Sequence, residues 1–324
     1  MKRIFSWVFA IAFLTVPLVS AATQAQLLQQ PIRIVFPFAA GGGGDALARL
    51  LAEELRTALN RNVVVENKTG AGGQAGTLEV VNAAPNGDTL LLTPIAPVVL
   101  HQNIYKNLRY DPIKDLKPVA LVSDFEFAIA VGPAVPAKTL QELIAWMKAN
   151  PTKATYGTPG AGALPHFFGV LFSKAVGVDM VHIGYRGSSL ALVDLISGQI
   201  PIVVTTTTDL LANHKEGKIR ILATSDSKRS PLVPEVPTFK ELGYDIVGTS
   251  WYAVFAPAKT PDDIVQQYSK ILSTALRTDA MKARLLQLGL YARGSTPEEL
   301  GKLQKEHADF WKPAIEASGF KPEN

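Results

Sequence analysis

The sequence predicts an α/β fold in which two lobes face each other across a cleft. Short apolar runs alternate with amphipathic helical stretches, a pattern typical of parallel sheets covered by helices. Five loops each follow a predicted strand and precede a predicted helix, two in the first half of the chain and three in the second. Such loops lie at the carboxyl edge of a parallel sheet, where ligands bind. They are residues 38–45, 93–96, 157–163, 185–188 and 205–209.

Length and composition agree with this fold. The chain has 324 residues, of which 47% are hydrophobic and 19% charged, enough for two domains with ample cores. The formal net charge of +4 is small for this length and does not indicate a nucleic-acid partner. Cysteine is absent, so we expect neither a disulfide nor a cysteine-linked lipid anchor.

Residues 1–25 have the pattern of a cleaved secretory signal peptide. Lys2 and Arg3 precede an apolar run over residues 4–16, which is too short to span a membrane comfortably. Small residues follow, and candidate cleavage points lie after Ala21, Ala22 and Ala25. We therefore expect export to a Gram-negative periplasm and a mature protein without a membrane-spanning segment.

The first strand, glycine loop and helix form the clearest candidate for an anion site. Apolar residues 32–36 are followed by four glycines, 41–44, and then by leucines at helical spacing from Leu47 to Leu55. Because glycine has no side chain, the first N–H groups of such a helix are bare at the positive end of the helix dipole. That arrangement attracts an anion.

The remaining elements follow from the same patterns. We expect one strand over residues 116–122 and a separate one over 125–131, because Ser123 and Asp124 interrupt the apolar run. Thr139 and Glu142 have capping-box spacing, and Pro297 has the position of a helix start. The other strand candidates are residues 63–65, 89–92, 154–156, 180–183, 200–204, 219–223 and 251–255.

Signals for enzymes and cofactors are weak. Residues 70–76 follow a strand and open a helix, but their last glycine is one position late for a dinucleotide fingerprint. The five histidines lack metal-ligand spacing, and no G-x-S-x-G nucleophile elbow occurs. We therefore expect no cofactor, no metal and no enzymatic activity.

A series of sequence blocks in order resembles the periplasmic solute-binding proteins of tripartite tricarboxylate transporters, the Bug or TctC family. The resemblance covers nearly the whole predicted mature chain. The blocks are VFPFAAGG (35–42), VENK (65–68), GAGG (70–73), APNG (84–87), GTPG (157–160), HIGYRG (182–187), DLISGQ (194–199), PEVPT (234–238) and WYAVFAP (251–257).

The resemblance implies a two-lobed Venus-flytrap fold, like that of type II periplasmic binding proteins, with two hinge-crossing strands near residues 127–131 and 248–253. Lobe 1 would comprise residues 26–128 and 252–324, and lobe 2 residues 129–251. It further implies a monomer that captures a small organic carboxylate between the lobes and delivers it to the subunits of a membrane transporter.

The resemblance also implies which residues bind the ligand. Loops 38–45 and 157–163 would grip one carboxylate through backbone N–H groups, hydroxyls and water, while the far end meets more variable positions. The expected ligand-binding residues are Phe38, Ala39, Ala40, Gly41, Gly42, Asp45, Thr93, Ala96, Thr158, Gly160, Ala161, Gly162, His166, Tyr185, Arg186, Thr206, Thr207 and Asp209.

Several of these residues have a second interpretation. Asp45 could contact the ligand or orient the start of its own helix. Arg186 could pair with a ligand carboxylate or form an ion pair at the hinge rim. Tyr185 and Trp251 could form an apolar wall or pack the hinge. The threonines at 205–208 could donate hydroxyls or continue a β-branched strand.

Two other classes of function remain open from the sequence. One is an exported enzyme that acts on carboxylic acids, with Asp45 or His166 as the base. The other is a periplasmic sensor that feeds a receptor kinase. Family members commonly have proline at the positions of Ala40 and Gly184 and a hydroxyl near residues 43–44. These departures leave the ligand open among mono-, di- and tricarboxylates and aromatic acids.

Overall fold

The computed structural model describes residues 30–318 and 320, so the predicted signal peptide lies outside the described residues. Within that part of the chain, the strands join into one mixed ten-stranded sheet. The strands are β1 (Ile32–Phe36), β2 (Val63–Asn67), β3 (Thr89–Pro94), β4 (Leu116–Val131), β5 (Thr155–Thr158), β6 (Val181–Gly184), β7 (Ile202–Thr206), β8 (Arg220–Thr224), β9 (Thr249–Pro257) and β10 (Tyr291–Ala292).

The helices flank this sheet, and the apolar faces predicted for them are buried. On the first helix Leu47, Leu51 and Leu55 are at most 1% exposed, and each contributes about 2 kcal/mol by leaving water. The helices are α1 (Gly43–Leu59), α2 (Gln74–Val81), α3 (His101–Ile104, after a π-helical turn at Ala96–Leu100), α4 (Leu140–Ala149), α5 (Leu164–Val176), α6 (Ser188–Ile196), α7 (Thr207–Lys215), α8 (Asp262–Arg277), α9 (Asp279–Gln287) and α10 (Pro297–Ser318).

Two parallel groups of strands are joined through two antiparallel strands. The strand order is β2-β1-β3-β9-β4-β7-β5-β6, with β8 and β10 also paired to β4. Strands β1, β2 and β3 are mutually parallel, and so are β5, β6 and β7. Strand β4 pairs with β9 as far as Glu126 and with β7 from Phe127 onward, so one strand serves both groups.

The prediction of two strands over residues 116–131 was wrong, because β4 is continuous. Ser123 is fully buried within the strand, opposite Ala292 of β10. Asp124 pairs with Tyr291 in the sheet, and Arg293 Nε lies 2.7 Å from its carboxylate. A neighbouring strand and an ion pair therefore accommodate the two polar residues that look like a break in the sequence.

Most other element predictions are confirmed, with ends that shift by one to three residues. All five predicted loops lie between a strand and a helical segment, although Thr205 and Thr206 end β7 while Thr207 begins α7. Thr139 Oγ1 accepts a hydrogen bond from Glu142 N at the start of α4, and α10 begins at Pro297. None of the described helices combines the length and hydropathy that a membrane crossing needs.

Candidate functional site

A cavity lies where the ends of β1, β3 and β7 meet the starts of α1, α5, α6 and α7. It has about 540 Å³ of empty space, including the part that opens to solvent. The lining residues are Phe36, Phe38, Ala39, Gly42, Gly44, Pro94, Ile95, Ala96, Phe125, Phe127, Pro159, Ala163, Leu164, Pro165, Ser188, Thr206, Asp209, Ser250 and Tyr252.

Aromatic rings form much of the cavity wall. The centroids of Phe125 and Tyr252 are 4.5 Å apart, and those of Phe36 and Phe38 are 5.7 Å apart. Phe127 continues the wall and contacts Phe125 edge-on at 5.5 Å. These rings are at least nine-tenths buried, so they offer apolar surface to a ligand and exclude water around its body.

Strand alternation decides which residues of β4 and β9 reach the cavity. Phe125 and Phe127 line it, while Glu126 between them does not. On β9, Tyr252 and Ser250 line it, while Trp251 between them does not. Because successive strand side chains point to opposite faces, each intervening residue packs elsewhere. Trp251 therefore packs rather than forming the wall, and its Nε1 donates to His307 Nδ1 at 3.2 Å.

The start of α1 approaches the cavity wall closely. A Cβ at Gly44 would collide with the ring of Phe36 and lie 2.9 Å from Tyr252 Oη. Only glycine therefore lets the helix start against these two rings. The predicted helix start is confirmed in position.

The first amide of α1 is already occupied by a carboxylate of the protein. Gly43 N donates to Asp209 Oδ1 at 2.8 Å, across 166 positions of sequence. Thr205 Oγ1 donates to the other oxygen, Oδ2, at 2.8 Å. Of the described residues that line the cavity, Asp209 is the one with a charged side chain. Its charge is favourable at the positive end of the α1 dipole.

Asp45 holds the glycine loop together and does not line the cavity. Its carboxylate accepts hydrogen bonds from Gly41 N, Arg49 Nε and Asn67 Nδ2, each at 3.1 Å. Burial alone would raise the pKa of Asp45, but these hydrogen bonds outweigh it and lower the pKa below its ordinary value. Asn67 Nδ2 also donates to Phe38 O at 3.0 Å, so it links the loop to β2.

The start of α5 faces the cavity without a side-chain cap. Helix α5 begins after Ala163, whose side chain caps nothing, and its first turn lines the cavity. The loop before it is fixed by the hydroxyl of Thr158, which donates to Gly160 O at 3.1 Å. It is also fixed by Gly162 N, which donates to His166 Nδ1 at 3.2 Å.

A buried histidine, His166, and a half-buried one, His182, support this loop from behind. The rings of His166 and His182 stack with centroids 3.7 Å apart, and His182 Nε2 lies 2.7 Å from Thr158 Oγ1. Burial lowers the pKa of His166 to about 4 and that of His182 to about 3, so both rings are neutral at pH 7. Neither ring lines the cavity. Among residues 30–318 and 320, no group of three or more His, Cys, Asp or Glu could hold a metal ion.

Hydrogen bonds between the two parallel groups close one side of the cavity. Ala39 N donates to Arg186 O at 2.9 Å, and Ser189 Oγ donates to Ala40 O at 3.0 Å. A Cβ at Gly160 would lie 3.1 Å from Gly72 Cα, so these backbones nearly touch. The side chain of Arg186 is exposed and outside the cavity lining.

The structure places six of the eighteen expected binding residues in the cavity wall, and the other twelve nearby or behind it. The six are Phe38, Ala39, Gly42, Ala96, Thr206 and Asp209. Tyr185 Oη donates to Asp194 Oδ2 at 2.6 Å, and Thr93 Oγ1 donates to Pro94 O at 3.0 Å. The residues outside the lining are Ala40, Gly41, Asp45, Thr93, Thr158, Gly160, Ala161, Gly162, His166, Tyr185, Arg186 and Thr207.

The fold and cavity define a two-lobed solute-binding protein. The periplasmic binding protein BugD has this fold, with a TM-score of 0.86 and 33% identity over 90% of this chain and 99% of that one. MatC from Rhodopseudomonas palustris, with bound malate, has a TM-score of 0.83 and 28% identity over 88% of this chain and 98% of that one. Rpa4515 of R. palustris, with adipate, has a TM-score of 0.87 and 26% identity over 90% of this chain and 98% of that one.

The sequence also matches a family profile over most of its length. Residues 47–320 match the tripartite tricarboxylate transporter family receptor, TctC. The chain belongs to this family of solute-binding proteins, as its sequence blocks indicate.

Proposed function

We propose that this protein captures a small organic carboxylate in the cavity and delivers it to the membrane subunits of a tripartite tricarboxylate-type transporter. The observation that carries this proposal is the start of α5, which lies in the wall of a largely aromatic cavity without a side-chain cap and has Leu164 N as its first amide. Oriented amides at a helix start bind an anion strongly where water is excluded. The malate and adipate bound by the two related structures are consistent with such a ligand.

The cavity favours binding over catalysis. The two candidate bases, Asp45 and His166, are engaged in holding loops and lie outside the lining. An enzyme would need a proton acceptor within reach of the substrate, and the one carboxylate in the described lining, Asp209, caps the start of α1 through Gly43 N. We therefore propose a binding protein without turnover.

Export and hinge closure complete the proposal. Residues 1–25 act as the cleaved signal peptide, and the mature protein works as a monomer in the periplasm without a lipid anchor. Residues 26–128 with 252–324 form one lobe and 129–251 the other. The bonds from Ala39 to Arg186 and from Ser189 to Ala40 hold the closed state, which a ligand stabilises by population shift.

The test is a ligand screen of the mature protein with a cavity-filling variant. A panel of organic acids is screened by thermal shift, and hits are measured by calorimetry while NMR monitors product formation. A ligand at 100 times its Kd stabilises the protein by about 2.7 kcal/mol. We expect at least one acid to bind without turnover.

The variant Ala163→Leu places bulk in the lining at the start of α5 and should weaken that binding about tenfold or more. Ala175→Leu, an exposed position on the same helix, is the matched control. The proposed site is contradicted if no acid of the panel binds the unmodified protein, or if both variants bind with equal affinity. Product formation contradicts the binding role.

A further inference from the structure

We propose that the cavity selects a monocarboxylate whose far end donates a hydrogen bond, as an ammonium or hydroxyl group does, and that Asp209 rejects dicarboxylates. This inference rests on the proposed function, because it assigns the chemistry at the second end of the same ligand. The ligand class is an amino- or hydroxy-substituted monocarboxylic acid with an apolar body.

Two of the helix starts at the cavity already donate to groups of the protein. The first amide of α1 donates to Asp209, and the start of α7 donates to the hydroxyl of Thr206. The starts of α5 and α6 have no side-chain cap, and α6 begins at Ser188, beside Asp209. A ligand carboxylate therefore meets the least opposition at α5, where Leu164 N is the first amide. At α1 it would have to displace Asp209 from Gly43 N, and at α6 it would lie beside the charge of Asp209.

Asp209 can accept more hydrogen bonds than the protein gives it. An ionised carboxylate has about four acceptor positions, and two are used by Gly43 N and Thr205 Oγ1. Asp209 also lines the cavity, next to Gly42 and Ser188. A Cβ at Gly42 would lie 3.2 Å from Asp209 Oδ1 and 2.8 Å from Ser188 Oγ, so these groups share one part of the wall. That part can accept hydrogen bonds from a ligand.

The described lining of the cavity offers no positive charge to a second carboxylate. The described lining contains no Lys, Arg or His to balance a second ligand carboxylate. The walls are formed largely by buried aromatic rings, which lower the local dielectric and strengthen interactions between charges. A dicarboxylate that fits the cavity would therefore bring its second charge into repulsion with Asp209, while an ammonium would be attracted to it.

The test compares ligands that match in length and body and differ at one end. Calorimetry on the mature protein at pH 7.5 measures 6-aminohexanoate against adipate, and 4-(aminomethyl)benzoate against benzene-1,4-dicarboxylate. In at least one pair we expect the amino acid to bind about tenfold or more tightly than the dicarboxylate.

The variant Asp209→Asn keeps an acceptor for Gly43 N and removes the charge. We expect it to fold and to reduce the preference to within about threefold, mainly by binding the dicarboxylate better. Asp179→Asn, an exposed position away from the cavity, removes the same charge and should leave the preference unchanged. Unfolding midpoints of both variants show whether each is folded. The ligand preference measured on the unmodified protein stands whether or not a variant folds.

The outcomes separate this inference from the proposed function. If no acid of any kind binds, the proposed function fails and the inference with it. If acids bind but the amino-substituted member of neither pair is preferred, or Asp209→Asn folds and leaves the preference intact, only the role of Asp209 is overturned.

Discussion

Replacing Glu126 by glutamine should stabilise the protein above neutral pH. Glu126 is 2% exposed, and neither of its carboxylate oxygens has a well-aligned hydrogen bond from the described residues. Burial raises its pKa from 4.5 to about 7, with a further rise from the charge of Asp226; the hydroxyls of Ser230 and Thr207 oppose these effects. The folded state therefore holds a proton that the unfolded state releases at lower pH.

The magnitude follows from the difference between the two pKa values. Each pKa unit corresponds to about 1.4 kcal/mol, so ionising Glu126 above pH 7 costs the folded state about 3 kcal/mol. The sign follows from linkage: between pH 4.5 and 7 the folded state binds more protons, so its stability falls as the pH rises. Glutamine has the same shape and no charge to lose. Glu126→Gln should therefore match the unmodified protein near pH 4.5 and exceed it by about 2 to 3 kcal/mol at pH 8.

Urea unfolding of both proteins between pH 4.5 and 8 measures this difference directly. Taking the difference at each pH cancels the titration of groups that the two proteins share. Glu54→Gln, at a partly exposed position on α1, is the control for removing an acidic side chain elsewhere. A flat difference for Glu126→Gln, or a variant less stable than the parent at pH 8, would refute the assignment of Glu126 as a buried group without adequate hydrogen bonds.

Three further predictions concern the loop before α1, the buried histidines and export. Asn67→Ala removes the hydrogen bond to Phe38 O and should lower unfolding free energy by about 1 to 2 kcal/mol and ligand affinity several-fold. The exposed Asn82→Ala is its control, and equal effects would contradict a positioning role. The contribution of His166 and His182 to stability should fall as the pH drops from 6.5 toward 4, because their pKa values are lowered and the unfolded state binds protons first; a difference in unfolding free energy between the unmodified protein and His182→Gln that is constant between pH 6.5 and 4.5 would contradict this. Mass spectrometry of periplasmic protein should show cleavage after residue 21, 22 or 25, and an uncleaved N-terminus would disprove the signal peptide.

Local patterns in the sequence predict much of the fold. The apolar run, the glycines and the leucine spacing of residues 32–55 predict β1, the loop and α1 because each depends on neighbours in the chain. The continuous strand β4 is not predictable in this way. Ser123 and Asp124 become compatible with a strand only when β10 and Arg293, more than 160 residues later, supply their partners.

The candidate site is predicted in position and only partly in detail. The loops after β1 and β7 were identified from glycines and hydroxyls, and they contribute Gly42 and Asp209 to the wall. The capping of α1 by Asp209 could not be predicted, because it joins helices 166 positions apart. Phe125 and Phe127 line the cavity but were not among the expected binding residues. Their alternation with Glu126 could have indicated them, because it shows that the two faces of this strand differ.

The central claim is that an organic acid binds with its carboxylate at the start of α5. A crystal structure of the mature protein with its tightest-binding acid tests this most directly. We expect a carboxylate oxygen about 3 Å from Leu164 N, the first amide of α5, with the body of the acid between Phe36 and Phe127. An acid bound outside this cavity, or a carboxylate seated on Gly43 N in place of Asp209, would contradict it.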